Sequence, residues 1–209
     1  MATIATTAAF CFAALTWLVV VGETQGFDHA ALETVYNSNT PTTLMIFRAV
    51  SFAGSMWAIA VVTCFAALYF TLRKRIRTSA FILASVSGAW LLNEVLKLAV
   101  SRARPELGSD VFATGYSYPS AHTMVGISLY ITLAIALSPL VESPTRKAAL
   151  WMSAVALVAL IALSRPFLGA HWPTDVMGGA LLGAAWVISL REIRMRYLQH
   201  EKIESAEKY

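Results

Sequence analysis

Residues 164 to 175 read SRPFLGAHWPTD, and what flanks them decides the fold: Ala148 to Ser164 and Val176 to Leu190 are apolar runs without a single charge. Arg165, His171 and Asp175 therefore gather in a short polar stretch between two runs that want to leave water. The composition extends the same reading to the whole chain. Of 209 residues, 57% are hydrophobic and only 13% charged, with a mean hydropathy of +0.63. A soluble domain of this length rarely has that profile, so the bilayer is the expected solvent.

Crossing hydrocarbon as a helix takes about 20 mostly apolar residues. Working outward, six runs meet that description: Ala2 to Val21, Ser51 to Leu72, Thr78 to Val100, Thr123 to Val141, Ala148 to Ser164 and Val176 to Leu190. The last two are short and call on flanking residues or thinned bilayer. The first lacks a positive start and a clear small-residue cleavage site, so it reads as a retained helix and not a signal peptide. The expected fold is all-α: one polytopic domain over residues 1–209, with six transmembrane helices.

Basic residues in short loops set the orientation. RKRIR (Arg73 to Arg77), TRK (Thr145 to Lys147) and REIRMR (Arg191 to Arg196) fall on one side if six helices alternate, which makes that side, and both termini, cytoplasmic. The first loop, with Glu23, Asp28 and Glu33, then faces outward with the loops at 101–120 and 165–175, so Ser109 is expected outside and Arg75 inside. The net charge of +4 is accounted for by these clusters. With no aromatic platform between them, nucleic acid is excluded as a partner. Cys11 and Cys64 sit in apolar runs as small hydrophobes. Gly179 and Gly183 form a G-x-x-x-G suited to close helix packing. FDHAALETVYN (Phe27 to Asn37), in the long segment Gly26 to Phe52, reads as an amphipathic helix lying in the interface.

The outward ends carry three polar clusters: KLAVSRARP (Lys97 to Pro105), YPSAHT (Tyr118 to Thr123) and the opening stretch. Singly, each has a bland explanation: Lys97 snorkels, Arg102 and Arg104 solvate a loop, Ser120 caps a helix. Together they are expensive residues converging on one face. Lys97, Arg104 and Arg165, with the free N–H groups of a helix starting at Ser120, Ala121 and His122, suit a phosphate group. No outward carboxylate cluster suits Mg²⁺ and no Cys/His grouping has zinc spacing, so the expected chemistry uses neither metal nor cofactor. It then needs a protein nucleophile and a proton donor. Asp175, one helical turn after His171, can hold the proton on one ring nitrogen and free the other, which makes His171 the nucleophile and His122 the acid.

Three spacings now stand together: K-x6-R-P (Lys97, Arg104, Pro105), P-S-x-H (Pro119, Ser120, His122) and S-R-x5-H-x3-D (Ser164, Arg165, His171, Asp175). In order and spacing they resemble the signature of the type 2 phosphatidic acid phosphatase superfamily, within residues 97–175. The resemblance implies a six-helix membrane fold with Lys97, Arg104, Ser120 and Arg165 cradling phosphate. It also implies a phosphohistidine at His171, oriented by Asp175, and leaving-group protonation by His122. One departure is Ala121 where glycine is usual; its N–H remains, unless the site needs a positive φ. Glu94 and Asn93 lie outside the signature and either position Lys97 or form an interfacial pair.

The family's bacterial members imply a lipid phosphate substrate, such as undecaprenyl diphosphate, phosphatidic acid or phosphatidylglycerophosphate. With the orientation set by the basic loops, the enzyme is expected in the cell membrane with its site on the extracytoplasmic side. Arg102 is an extra cation beside the site and is expected to contact a second phosphate. The alternatives are a lipid phosphotransferase with the same phosphohistidine, or a non-catalytic receptor or transporter.

Overall fold

The computed structural model describes residues 2–106 and 114–206; Ser109, expected to face outward, lies outside them. The described residues form helices α1 (Ala2–Val20), α2 (Gln25–Asn37), α3 (Pro41–Ala53), α4 (Met56–Leu72), α5 (Ile76–Val100), α6 (Ala121–Leu137), α7 (Pro144–Phe167) and α8 (Pro173–Ala206), without a strand among them. α1, α5, α7, α8 and α6 with its short 3₁₀ extension (Ser138–Leu140) are long and apolar enough to cross a bilayer, and α3 with α4 makes a sixth, bent element. The all-helical polytopic architecture is as expected.

Helix starts follow from local chemistry. Thr40 accepts from the Thr43 N–H while Thr43 accepts from the Thr40 N–H, a capping box with Pro41 as the first helical residue. At α7 the Ser143 hydroxyl accepts from the Arg146 N–H, with Pro144 as the first helical residue. The expected run Ser51 to Leu72 is not one straight helix, because the chain bends by 42° between α3 and α4. Two features put the bend there. The Ser55 hydroxyl accepts from the Ala58 N–H and starts a new helix. A Cβ on Gly54 would lie 2.5 Å from Ile161 Cγ2 and 3.2 Å from His122 Cδ2, so only glycine lets the elbow approach α6 and α7 this closely. Hydropathy is blind to both. α8 likewise runs past its apolar run to Ala206. The residues after Leu190 include neither glycine nor proline and are mostly good helix formers, so nothing stops the helix.

α6 is the central post: α4, α5, α7 and α8 pack around it, α1 lies along α8, α3 lies on α7, and α2 rests on α7 and α8. Met124 and Leu129 of α6 are fully buried against Ile59, Val86 and Ala89. Between helices in lipid the driving force is close packing and interhelical hydrogen bonding, since lipid tails are as apolar as leucine. Ser85 Oγ, for instance, donates to Ser128 O at 3.1 Å and pairs with Thr132 Oγ1 at 2.8 Å. The expected Gly179/Gly183 surface is such a contact. A Cβ on Gly179 would sit 2.7 Å from the Ser120 carbonyl oxygen, and one on Gly183 3.0 Å from that of Met124. This draws the start of α8 against the start of α6, and with it Asp175 toward Ser120, whose N–H donates to Asp175 O at 3.0 Å.

Candidate active site

The opening stretch is a helix stop followed by a helix start. At the end of α7 the Ala170 N–H donates to Arg165 O (3.0 Å) and the Gly169 N–H to Pro166 O (2.9 Å), with Gly169 at φ +65°. These two bonds around a left-handed glycine form a Schellman motif, which turns the chain back on itself. Pro173 then starts α8, and the Asp175 carboxylate reaches back to accept from the Trp172 N–H at 2.9 Å. Arg165 is thus fixed on the last turn of α7, His171 in the reversal, and Asp175 in the first turn of α8.

His171 Nδ1 lies 3.3 Å from Asp175 Oδ2. Ser117 Oγ donates a short hydrogen bond to the same oxygen and lies 3.4 Å from Nδ1. The other ring nitrogen, Nε2, is 3.2 Å from Arg104 Nη1. A guanidinium only donates, so Nε2 accepts and the ring proton belongs on Nδ1, facing the carboxylate. Burial lowers the His171 pKa to about 4 against the opposing pull of Asp175, so the ring is neutral at neutral pH with a lone pair on Nε2.

Arg104 meets that lone pair directly, and Arg165 and Lys97 line the same cavity. Arg104 is held by Ala170 O (2.7 Å), Gly115 O (3.0 Å), Thr114 O (3.0 Å) and Tyr116 O (3.3 Å), which point its fork at His171. Arg165, 4% exposed, donates through Nη1 to Ser51 Oγ, while its buried Nε has no partner among the described residues. An orphaned N–H on a buried charged group is costly and fits a site built for an anion. Lys97 Nζ is 3.7 Å from Glu94 Oε1, so the contact left open in the sequence is a loose ion pair. Ser120, expected at the phosphate, is fully buried, gives its N–H to Asp175 O at 3.0 Å and accepts from Thr123 Oγ1 at 3.2 Å, so the open N–H groups at the start of α6 begin at Ala121. Tyr118, whose hydroxyl is 2.9 Å from Thr16 Oγ1 of α1 and whose pKa burial raises to about 12, anchors the preceding loop.

Lys97, Arg104, Ala121, His122, Arg165 and His171 line one cavity of about 960 Å³. From this polar end it continues between α4 (Met56 to Cys64) and α5 down to Leu83, about 20 Å of helix by the 1.5 Å rise. Its apolar flank includes Trp57, Leu83, Trp90 and Leu98, all exposed on the outside of the bundle.

Arg102 is placed differently from expectation. It does not line this cavity, and its guanidinium is taken by two carboxylates, Asp175 Oδ1 at 2.7 Å and Asp28 Oδ2 at 2.6 Å. A second-phosphate contact would require breaking both pairs. Sequence reasoning missed Ser117 and the involvement of Asp28. The signal for Asp28 was present, because it shares the buried stripe of α2 with Leu32 four residues on, a position where an acid is out of place unless partnered. Among the described residues, no three His, Cys, Asp or Glu side chains group as metal ligands.

An all-helical membrane bundle with a buried His–Asp pair facing three cations defines a class of membrane-embedded sites built for an anionic group. The chain belongs to the PAP2 superfamily, whose model matches residues 78–197. It is 36% identical over 94 residues to phosphatidylglycerophosphatase B of Bacillus subtilis, covering 44% of this chain and 46% of that protein. To an undecaprenyl-diphosphatase of Sulfolobus acidocaldarius it is 32% identical over 105 residues, 47% of this chain and 46% of the relative. The matched stretches thus span about half the length of these curated relatives. The fold resembles the crystal structure of a transmembrane PAP2-type phosphatidylglycerolphosphate phosphatase from Bacillus subtilis, with a TM-score of 0.84 over 92% of this chain and 96% of that one at 23% identity. Aquifex aeolicus LpxE is similar at a TM-score of 0.59 and 23% identity, over 78% of this chain and 93% of that one.

Proposed function

We propose that this protein is a lipid phosphate phosphatase that works through a phosphohistidine at His171. The observation that carries the reading is the cavity: one end holds a neutral imidazole whose lone pair faces Arg104, with Lys97 and Arg165 lining the same end, and the other is an apolar groove between α4 and α5. A phosphate head group fits the first end and an acyl or prenyl tail the second. In the first step His171 Nε2 attacks phosphorus, the P–O bond to the lipid breaks, and the leaving oxygen takes a proton from His122. In the second, His122 takes a proton from water, the hydroxide attacks phosphorus, and the P–N bond breaks to return neutral His171 and inorganic phosphate. Asp175 holds the Nδ1 proton throughout, so the positive charge that develops on the ring is stabilised. Lys97, Arg104, Arg165 and the open N–H groups at the start of α6, from Ala121 on, stabilise the equatorial oxygens.

These cations supply the charge a metal would otherwise bring, so the proposed reaction is metal-independent and is expected to survive EDTA and fall with vanadate. Loss of activity on chelation with recovery on Mg²⁺ would refute that point. The relatives' names favour phosphatidylglycerophosphate and undecaprenyl diphosphate, and the proposed location is the cell membrane with the site on the extracytoplasmic side. The test is phosphate release by purified protein from these two lipids, phosphatidic acid and a soluble phosphomonoester. Release from at least one lipid is expected. Label passing to a second lipid without free phosphate would make the protein a transferase, and no turnover on any substrate would sink the reading.

A further inference from the structure

The side of Asp175 that faces away from His171 is held by a buried network that the proposed chemistry does not itself consume. Arg102 Nη1 donates to Asp175 Oδ1 at 2.7 Å and to Thr174 Oγ1 at 2.8 Å, and Arg102 Nη2 donates to Asp28 Oδ2 at 2.6 Å. Asp28 lies on α2, fully buried, and accepts twice more, from the Thr174 N–H at 2.9 Å and from Thr174 Oγ1 at 2.6 Å. We propose that Asp28 and Arg102 form a positioning unit that fixes the Asp175 carboxylate, and through it the His171 ring, by clamping α2 to the first turn of α8. The proposal rests on the reading of His171 as nucleophile.

Each part of the unit has a physical reason. A carboxylate left to itself turns easily about its last torsion, and Oδ2 already serves His171, Ser117 and the Trp172 N–H. Arg102 holds the remaining oxygen, so the plane of the group is set at both corners. A buried guanidinium with a single carboxylate would leave its second nitrogen without an acceptor, a costly defect in low dielectric. Asp28 occupies that nitrogen, and its own extra negative charge is met by two donors from Thr174.

Asp28 also repairs a defect of α8. The residue before the helix is Trp172, whose side chain cannot accept a capping bond, and Asp28 supplies the missing acceptor from another helix. The clamp closes on the outside as well. The Arg102 guanidinium lies 5.6 Å from the Trp172 ring centroid, and His29, next to Asp28, meets the same ring edge-on at 4.7 Å. Since neither Asp28 nor Arg102 lines the cavity, the unit acts through Asp175 and leaves lipid binding alone.

The experiment measures phosphate release and thermal unfolding in detergent for wild type, His171→Ala, Asp28→Asn, Arg102→Gln, Arg102→Lys and the Asp28→Asn/Arg102→Gln double variant. Arg102→Gln and Asp28→Asn are each expected to lower kcat about 10- to 100-fold, the scale of a small misplacement of a reacting group, with KM within about threefold. Arg102→Lys should recover part of the loss, and the double variant should be no slower than the worse single one, as expected of one unit. A wild-type kcat in folded Arg102→Gln, a loss confined to KM, or strictly additive single losses would overturn the proposal. Should Arg102→Gln fail to fold, Asp28→Asn is judged by the same criteria. If wild type itself releases no phosphate, the functional reading has failed. If wild type is active and the clamp variants equal it, only this inference has.

Discussion

At the scale of single residues, the site turns on which nitrogen of His171 carries the proton. Nδ1–H faces Asp175 and Nε2 faces Arg104, so under the proposed mechanism His171→Ala removes the nucleophile and turnover should vanish. His122→Ala should still form the covalent intermediate from p-nitrophenyl phosphate, whose leaving group needs little protonation. Acid-labile, base-stable label on the protein after a rapid quench reads both, and equal label in wild type and His171→Ala would remove His171 from its role. Asp175→Asn misdirects the tautomer and should cost on the order of 10² to 10⁴ in kcat by analogy with a serine-protease triad. The pH sign follows from burial: the folded protein disfavours imidazolium, so as pH falls the ring stays neutral below the ordinary value of 6.5 and protonates only near 4. Nitrogen-15 NMR of His171 in the substrate-free protein should show that midpoint, and one near 6.5 would contradict the burial described. These residues were legible because they fall into three short motifs, each with fixed spacing; His171 and Asp175 are four positions apart, although the structure puts His171 in the reversal before α8 and not on the same helical turn. Arg102 was not, since a sequence shows that a cation exists and not that Asp28, 74 positions away, has claimed it.

At the scale of elements, the stop and start of α7 and α8 matter more than their hydropathy. α7 and α3 start at serine–proline and threonine–proline pairs, signals that the apolar runs, begun at Ala148 and Ser51, passed over. The bend between α3 and α4 was hidden, because it depends on what Gly54 touches in other helices. The same dependence makes the contact of α8 with α6 testable. Gly179→Ala places a methyl 2.7 Å from a backbone carbonyl that cannot swing aside. The helices must part, at a cost of about 1–3 kcal/mol. The start of α8 carries Asp175, so kcat should fall along with the unfolding temperature. A variant that melts lower but turns over normally would show that the two helix starts are less coupled than the packing implies.

At the scale of the whole molecule, the proposed site lies at one end of the bundle, where α5 ends and α6 and α8 begin. The basic turn Arg73–Arg77 joins α4 to α5 at the other end. In a background with Cys11 and Cys64 replaced, an impermeant maleimide added from outside should label a cysteine at Ser38 and spare one at Lys74 until the membrane is opened. The reverse pattern would invert the proposed orientation. The groove between α4 and α5 has one more consequence. Its flank is formed by side chains on the bundle's outer surface, among them Trp57 and Leu98, so the proposed lipid substrate would reach it sideways through the leaflet. The encounter is then a search in two dimensions, and the concentration that matters is the substrate's mole fraction in the film. Diluting the lipid with inert detergent at constant bulk concentration should slow the enzyme, whereas adding detergent and lipid together in fixed ratio should not.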